Sequence, residues 1–222
     1  MPLMSEWVAW HDGYAPGSPL TRRLAVVQRM IREALDASPP GQITVISMCA
    51  GDGRDVLGVL PGHRRRDDVR GRLVELDPDL AQRAREHAGE VSPRIEVVTG
   101  DASRMISYAG FVPADIVLVC GIFGNISEDD IHNTVAHLPA LCAPNATVIW
   151  TRGTFAPDVT PIIRVWFMES GFSELDFVAI PGTTVGVGAN RMTSPRRAFE
   201  PDVQLFTFLP REERPSQRGC AE

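Results

Sequence analysis

The chain has 222 residues, of which 44% are hydrophobic and 23% charged, and carries a net charge of −6. That is the size and make-up of one large globular domain, and the acidic balance argues against a general nucleic-acid or anionic-membrane surface. The run Arg64, Arg65, Arg66 is followed at once by Asp67 and Asp68 and reads as a solvated loop. Glu6, His11 and Asp12 interrupt the N-terminus, and no apolar stretch approaches the roughly 18 residues needed to cross a bilayer. A cytoplasmic protein is therefore expected, with no membrane partner. Cys49, Cys120, Cys142 and Cys220 show no CxxC or Cys/His spacing. Free thiols are expected, and no metal.

Helical spacing of Leu20, Leu24, Val27, Met30, Ile31 and Leu35, with Ser18 as cap, predicts a helix over 19–37. Residues 1–40 are read as an N-terminal helical cap, 41–210 as the main domain and 211–222 as a flexible tail. A β-branched strand at 43–49 precedes a helix at 54–60. Strand 73–76, helix 79–88, strand 95–99, strand 114–120, helix 128–138, strand 147–151 and helix 160–170 follow. The alternation predicts an α/β fold with a parallel sheet covered on both faces. After Gly171 two further strands, 175–180 and 203–209, lack a helix between them, which predicts an antiparallel pair at one edge. The intervening Gly182–Pro201 reads as an insertion.

Four stations fall at the carboxyl ends of successive strands, where ligand crevices of such sheets open. The first is Cys49-Ala50-Gly51-Asp52-Gly53, a glycine-rich turn that lets a ligand approach the backbone. Val56 stands where a dinucleotide fingerprint needs glycine, and no Gly-Lys-Ser/Thr follows. The second is Glu75-Leu76. A carboxylate there can accept hydrogen bonds from both hydroxyls of a ribose, whereas Asp77 before Pro78 reads as a helix cap. The third is Gly100-Asp101-Ala102, suited to an adenine amino group and ring. The fourth is Cys120-Gly121, leading into Asn125, which faces an acceptor or caps a turn. Cys49 and Cys120 are expected close together as small core thiols.

In this order and spacing the stations resemble the class I, Rossmann-like S-adenosylmethionine-dependent methyltransferases, over residues 18 to 209. The segments around Ser47–Asp55, Cys120–Ser127 and Val148–Arg152 are similar to an actinobacterial branch of that family. The resemblance implies a three-layer fold with a seven-stranded, mostly parallel sheet ordered 3-2-1-4-5-7-6, strand 7 antiparallel. It implies S-adenosylmethionine as cofactor, with methionine over Gly51 and Gly53, ribose at Glu75 and adenine at Asp101 and Ala102. It further implies in-line transfer of a methyl group to an acceptor. Two positions depart from the family pattern: Ser47 replaces its acid and Cys49 its first glycine. A protein of this fold that binds S-adenosylmethionine or a nucleoside without transferring a methyl group is the alternative.

The acceptor is expected to be a small molecule. The chain is acidic, and it lacks the Asn/Asp-Pro-Pro-aromatic tetrad and the Pro-Cys motif of DNA methyltransferases. Candidate acceptor residues are His11, a tunable base, Tyr14, Asn125 and Arg152. Tyr14 with Arg22 or Arg23 can reach the cofactor carboxylate, although ordinary helix-surface arginines are the preferred reading. Arg152 stands at a strand's carboxyl end, to bind an acidic acceptor or to pair with Asp158.

Overall fold

The computed structural model describes residues 13–214. Helix α1 (Pro19–Ala37) leads into β1 (Ile43–Met48), the single turn α2 (Arg54–Leu57) and β2 (Val69–Glu75). Then come α3 (Pro78–Val91), β3 (Ile95–Thr99), β4 (Ala114–Val119), α4 (Glu128–Leu141) and β5 (Cys142–Gly153). Helix α5 (Thr160–Glu169) and strands β6 (Phe172–Ala179) and β7 (Val185–Met192) complete the order.

One sheet holds all seven strands in the order β3-β2-β1-β4-β5-β7-β6. β1 to β5 are parallel, and β7 is antiparallel to both β5 and β6. This is the predicted Rossmann-like methyltransferase topology. Every residue of β1 is buried, as a central strand covered on both faces requires. One core packs α1 (Val27, Met30, Ile31, Leu35) against Val45, Leu118 and Ile149. The other packs α4 and α5 (Ile131, Val135, Ile163, Phe167) against Ile46, Val117 and Trp150. The sheet order reverses between β1 and β4, so a crevice opens above their carboxyl ends.

The structure corrects two expected elements. The helix expected over 54–60 ends at Leu57, because Gly58 and Pro61 follow, and the chain tightens into a 3₁₀ turn at Leu60–Gly62. The last strand is Val185–Met192, inside the presumed insertion, and residues 203–209 form only isolated bridges from Gln204 to Arg104 and from Phe208 to Ile126. The reason is steric. A Cβ at Gly188 would stand 2.3 Å from Trp150 Cε2, and one at Gly186 2.8 Å from Phe177 Cζ. The strand leaves out side chains where its neighbours' rings lie, so its own sequence looks too weak for a strand. Trp150 Nε1 donates to Asn190 Oδ1 at 2.8 Å and its ring stacks on Phe167 at 5.6 Å. The 203–209 segment buries Leu205 and Phe206 instead, and α4 side chains serve its backbone. Asn133 Nδ2 donates to the Leu205 carbonyl at 2.8 Å, and Asp130 Oδ2 accepts from Thr207 N at 3.0 Å.

Candidate cofactor and acceptor sites

The turn after β1 is shaped by left-handed backbone at Cys49 (φ 48°), Gly51 (φ 58°) and Gly53 (φ 76°). Glycine enters that region freely, whereas a side chain there is strained. Cys49 therefore holds a conformation that costs about 1–2 kcal/mol, at the position where the resemblance expects glycine. Burial pushes its thiol well above the ordinary range, and the Glu75 and Asp101 carboxylates push the same way. The Cys120 thiol is raised chiefly by burial as well. Cys120 is a buried core thiol, whereas Cys49 is partly buried and packs against the other core.

Glu75 closes the turn from below. The residue is only 8% exposed. One oxygen accepts from Gly51 N at 2.7 Å and the other from Asp77 N at 2.9 Å. A carboxylate offers about four lone-pair sites, so these amides fix its orientation and leave capacity for donors from above. Asp77 is the expected cap of α3, accepting from Asp79 N and Leu80 N. Beside Glu75, Leu76 is an exposed apolar residue, 50% exposed. After β3, Asp101 Oδ1 accepts from Ser103 N at 2.8 Å, and Tyr108 Oη donates to the Ala102 carbonyl at 2.5 Å. Ile106, an exposed apolar residue on that same turn, is not among the sequence candidates.

Across the crevice, Gly121 (φ 76°) donates its N–H to Thr151 Oγ1 at 2.8 Å. Asn125 Nδ2 donates to the Gly121 carbonyl at 2.8 Å, so its amide closes this loop. The turn-capping role is the one seen. Arg23, preferred from sequence as a helix-surface arginine, is instead 7% exposed. Its Nη2 donates to Tyr14 Oη at 2.6 Å, and Nη1 lies 3.9 Å from where a Gly121 Cβ would stand. Arg54 stacks over the Tyr14 ring at 4.0 Å. Burial drives the Tyr14 phenol up to about 12 despite nearby Arg23. Asp55 belongs to the same cluster and acts electrostatically on Tyr14, Arg23 and Cys120. Its role was missed from sequence. The available signal for Arg23 was a charge within the apolar stripe Val27, Met30, Ile31 of α1. Arg22 remains at the surface, donating to the Pro181 carbonyl at 2.8 Å.

Arg152 stands apart at the end of β5, 4% exposed, stacked over Phe155 at 4.8 Å. His11 lies outside the described residues. Among the described residues no group of three or more His, Cys, Asp or Glu could hold a metal ion, and no helix is long and apolar enough to cross a membrane.

The sheet order, the reversed last strand and the glycine turn above β1 define the class I methyltransferase fold. No family model matches the sequence, and no curated protein is similar to it in sequence. Solved structures do share the fold. One is 1,6-didemethyltoxoflavin-N1-methyltransferase of Burkholderia thailandensis, with 1,6-didemethyltoxoflavin and S-adenosylhomocysteine bound. It has a TM-score of 0.64 at 19% identity, covering 86% of this chain and 87% of that one. Magnesium protoporphyrin IX methyltransferase of Synechocystis, with S-adenosylmethionine bound, has a TM-score of 0.62 at 15% identity, covering 83% and 89%. An O-methyltransferase family protein of B. thailandensis has a TM-score of 0.61 at 16% identity, covering 78% of this chain. This chain spans 55% of that protein's length.

Proposed function

We propose that this protein is an S-adenosylmethionine-dependent methyltransferase acting on a small-molecule acceptor. The observation that carries the reading is Glu75: a buried carboxylate at the end of β2, aimed by two backbone amides, beside an exposed Leu76. The shape suits a nucleoside, whose ribose hydroxyls donate to Glu75 while its base lies on Leu76 and meets Asp101 and Ala102. The side-chain-free Gly51 and Gly53 let the chain approach the amino-acid part. In this reading Arg23 holds its carboxylate, and Asp55, in the same cluster, supplies for its ammonium the acid that Ser47 lacks. Cys120 and Gly121 complete the floor.

When bound, S-adenosylmethionine supplies an electrophilic methyl group whose displacement leaves S-adenosylhomocysteine. The protein's task is alignment and exclusion of water. The loop Gly121–Asn125, locked by Asn125 and Thr151, fixes the acceptor side of the crevice. Similar structures act on small molecules by their names, 1,6-didemethyltoxoflavin and magnesium protoporphyrin IX, which supports an acceptor of that kind.

Calorimetric titration with S-adenosylmethionine and S-adenosylhomocysteine tests the reading, with Glu75→Ala alongside. Saturable binding of both that weakens about 30-fold or more in the variant is expected from losing charge-assisted bonds. No binding by folded wild-type protein overturns it. Binding without methylated product across a broad acceptor set favours the non-transferring alternative.

A further inference from the structure

A second concavity, of about 280 Å³, lies beside the crevice. Ile126, Ile131 and Leu209 are its apolar lining, and Glu128, Glu213 and Arg152 its charged lining. Two elements connect it to the crevice: Ile126 and Glu128 follow the Gly121–Asn125 loop in the chain, and Thr151, next to Arg152 on β5, holds Gly121 N.

The state of Arg152 is unusual for a buried cation. Such groups are ordinarily paired. Among the described residues no carboxylate lies within ion-pair distance of it. Its Nε is buried without a hydrogen-bond partner, and Nη1 reaches only the neighbouring Gly153 carbonyl at a long 3.3 Å. Asp158, the partner considered from sequence, acts on Arg152 only at a distance, and its Oδ1 accepts from Thr160 N at 2.9 Å and Thr160 Oγ1 at 2.8 Å. Burial accordingly lowers the Arg152 pKa. The guanidinium is nevertheless held in place. A Cβ on Gly153 would overlap the Phe155 ring, so glycine there lets the ring fold back over the strand and stack on Arg152.

We propose that this pocket is the acceptor subsite and that Arg152 binds there the carboxylate of a small methyl acceptor with an apolar body. A planar carboxylate matches the fork of a guanidinium. Asp158 and Glu128 act on Arg152 from beyond ion-pair distance, and the acidic first turn of α4 (Glu128, Asp129, Asp130) with Glu213 opposes a doubly charged phosphate more than a singly charged carboxylate. The apolar walls take the rest of the molecule. This inference rests on the methyltransferase reading for its term "acceptor"; the subsite itself is tested independently.

The test is binding of benzoate, phenylacetate and hexanoate, each beside its carboxamide, by ligand-observed NMR. It uses the full chain with and without S-adenosylhomocysteine, for wild type, Arg152→Gln and Arg152→Lys. At least one carboxylate is expected to bind about tenfold or more tighter than its amide, with the preference lost in R152Q and partly kept in R152K. Cooperative urea unfolding of the same samples shows that the variants are folded. Equal binding of acids and amides overturns the proposal, as does an R152Q variant that keeps the preference. If carboxylates bind through Arg152 and S-adenosylhomocysteine does not bind, the subsite stands and the methyltransferase reading fails alone.

Discussion

Two buried charges sit at the carboxyl edge of this sheet, Glu75 on β2 and Arg152 on β5, and the chain treats them oppositely. Glu75 is bonded through both oxygens to backbone amides of its own crevice wall. Arg152 makes one long bond to the neighbouring carbonyl and lies on an aromatic ring. Equal burial therefore does not mean equal purpose. The first charge is part of the frame, since removing it orphans two amides. The second contributes little to the frame and is costly to keep, which fits a group retained for a ligand.

The sharpest way to break this comparison is a pair of near-isosteric changes. Glu75→Gln should lower unfolding stability by about 2 kcal/mol, since an amide group cannot accept from both donors and one amide N–H is left facing another. Arg152→Gln should leave stability unchanged or raise it by about 1 kcal/mol, because a desolvated, unpaired cation is removed. Urea unfolding of both variants checks this, and equal losses would remove the distinction. A smaller effect sharpens the cofactor half. Arg23→Gln should weaken S-adenosylhomocysteine binding by about tenfold and leave 5′-methylthioadenosine, which lacks the amino-acid carboxylate, nearly unaffected. An equal loss for both would place Arg23 in packing alone. The smallest effect lies at high pH. Burial raises the Tyr14 pKa to about 12, so its neutral form adds stability that is complete below an unfolded pKa of about 10. That contribution is lost as pH climbs through the folded value. Tyr14→Phe should flatten the fall in stability between those limits, measured by urea midpoints.

The frame half of the site was legible in sequence because its constraints are local. A left-handed turn calls for glycine at 51 and 53, an acid ends a strand at 75, and a cap-and-proline pair opens a helix at 77 and 78. Parallel strands that are buried on both faces announce themselves as apolar runs, as β1 and β4 do. What escaped depends on neighbours distant in the chain. Arg23 is buried because Tyr14 and Gly121 close over it, and only its place in an apolar stripe hinted at this. Arg152 stood out by its position at a strand end, but only the fold shows that no carboxylate among the described residues comes within ion-pair distance of it. Strand β7 was hidden for the same kind of reason, its weak pattern being the imprint of rings carried by β5 and β6.

That imprint makes Trp150 and Gly188 a single unit of heredity. Volume is divided between them as all and nothing, so neither position tolerates change alone: a larger residue at 188 evicts the indole, and a smaller one at 150 leaves a hole that glycine cannot fill. Drift at this pair must proceed by coupled steps. A search that weighs positions one by one will rank Gly188 as an expendable loop glycine, although it determines which aromatic residue the sheet can hold.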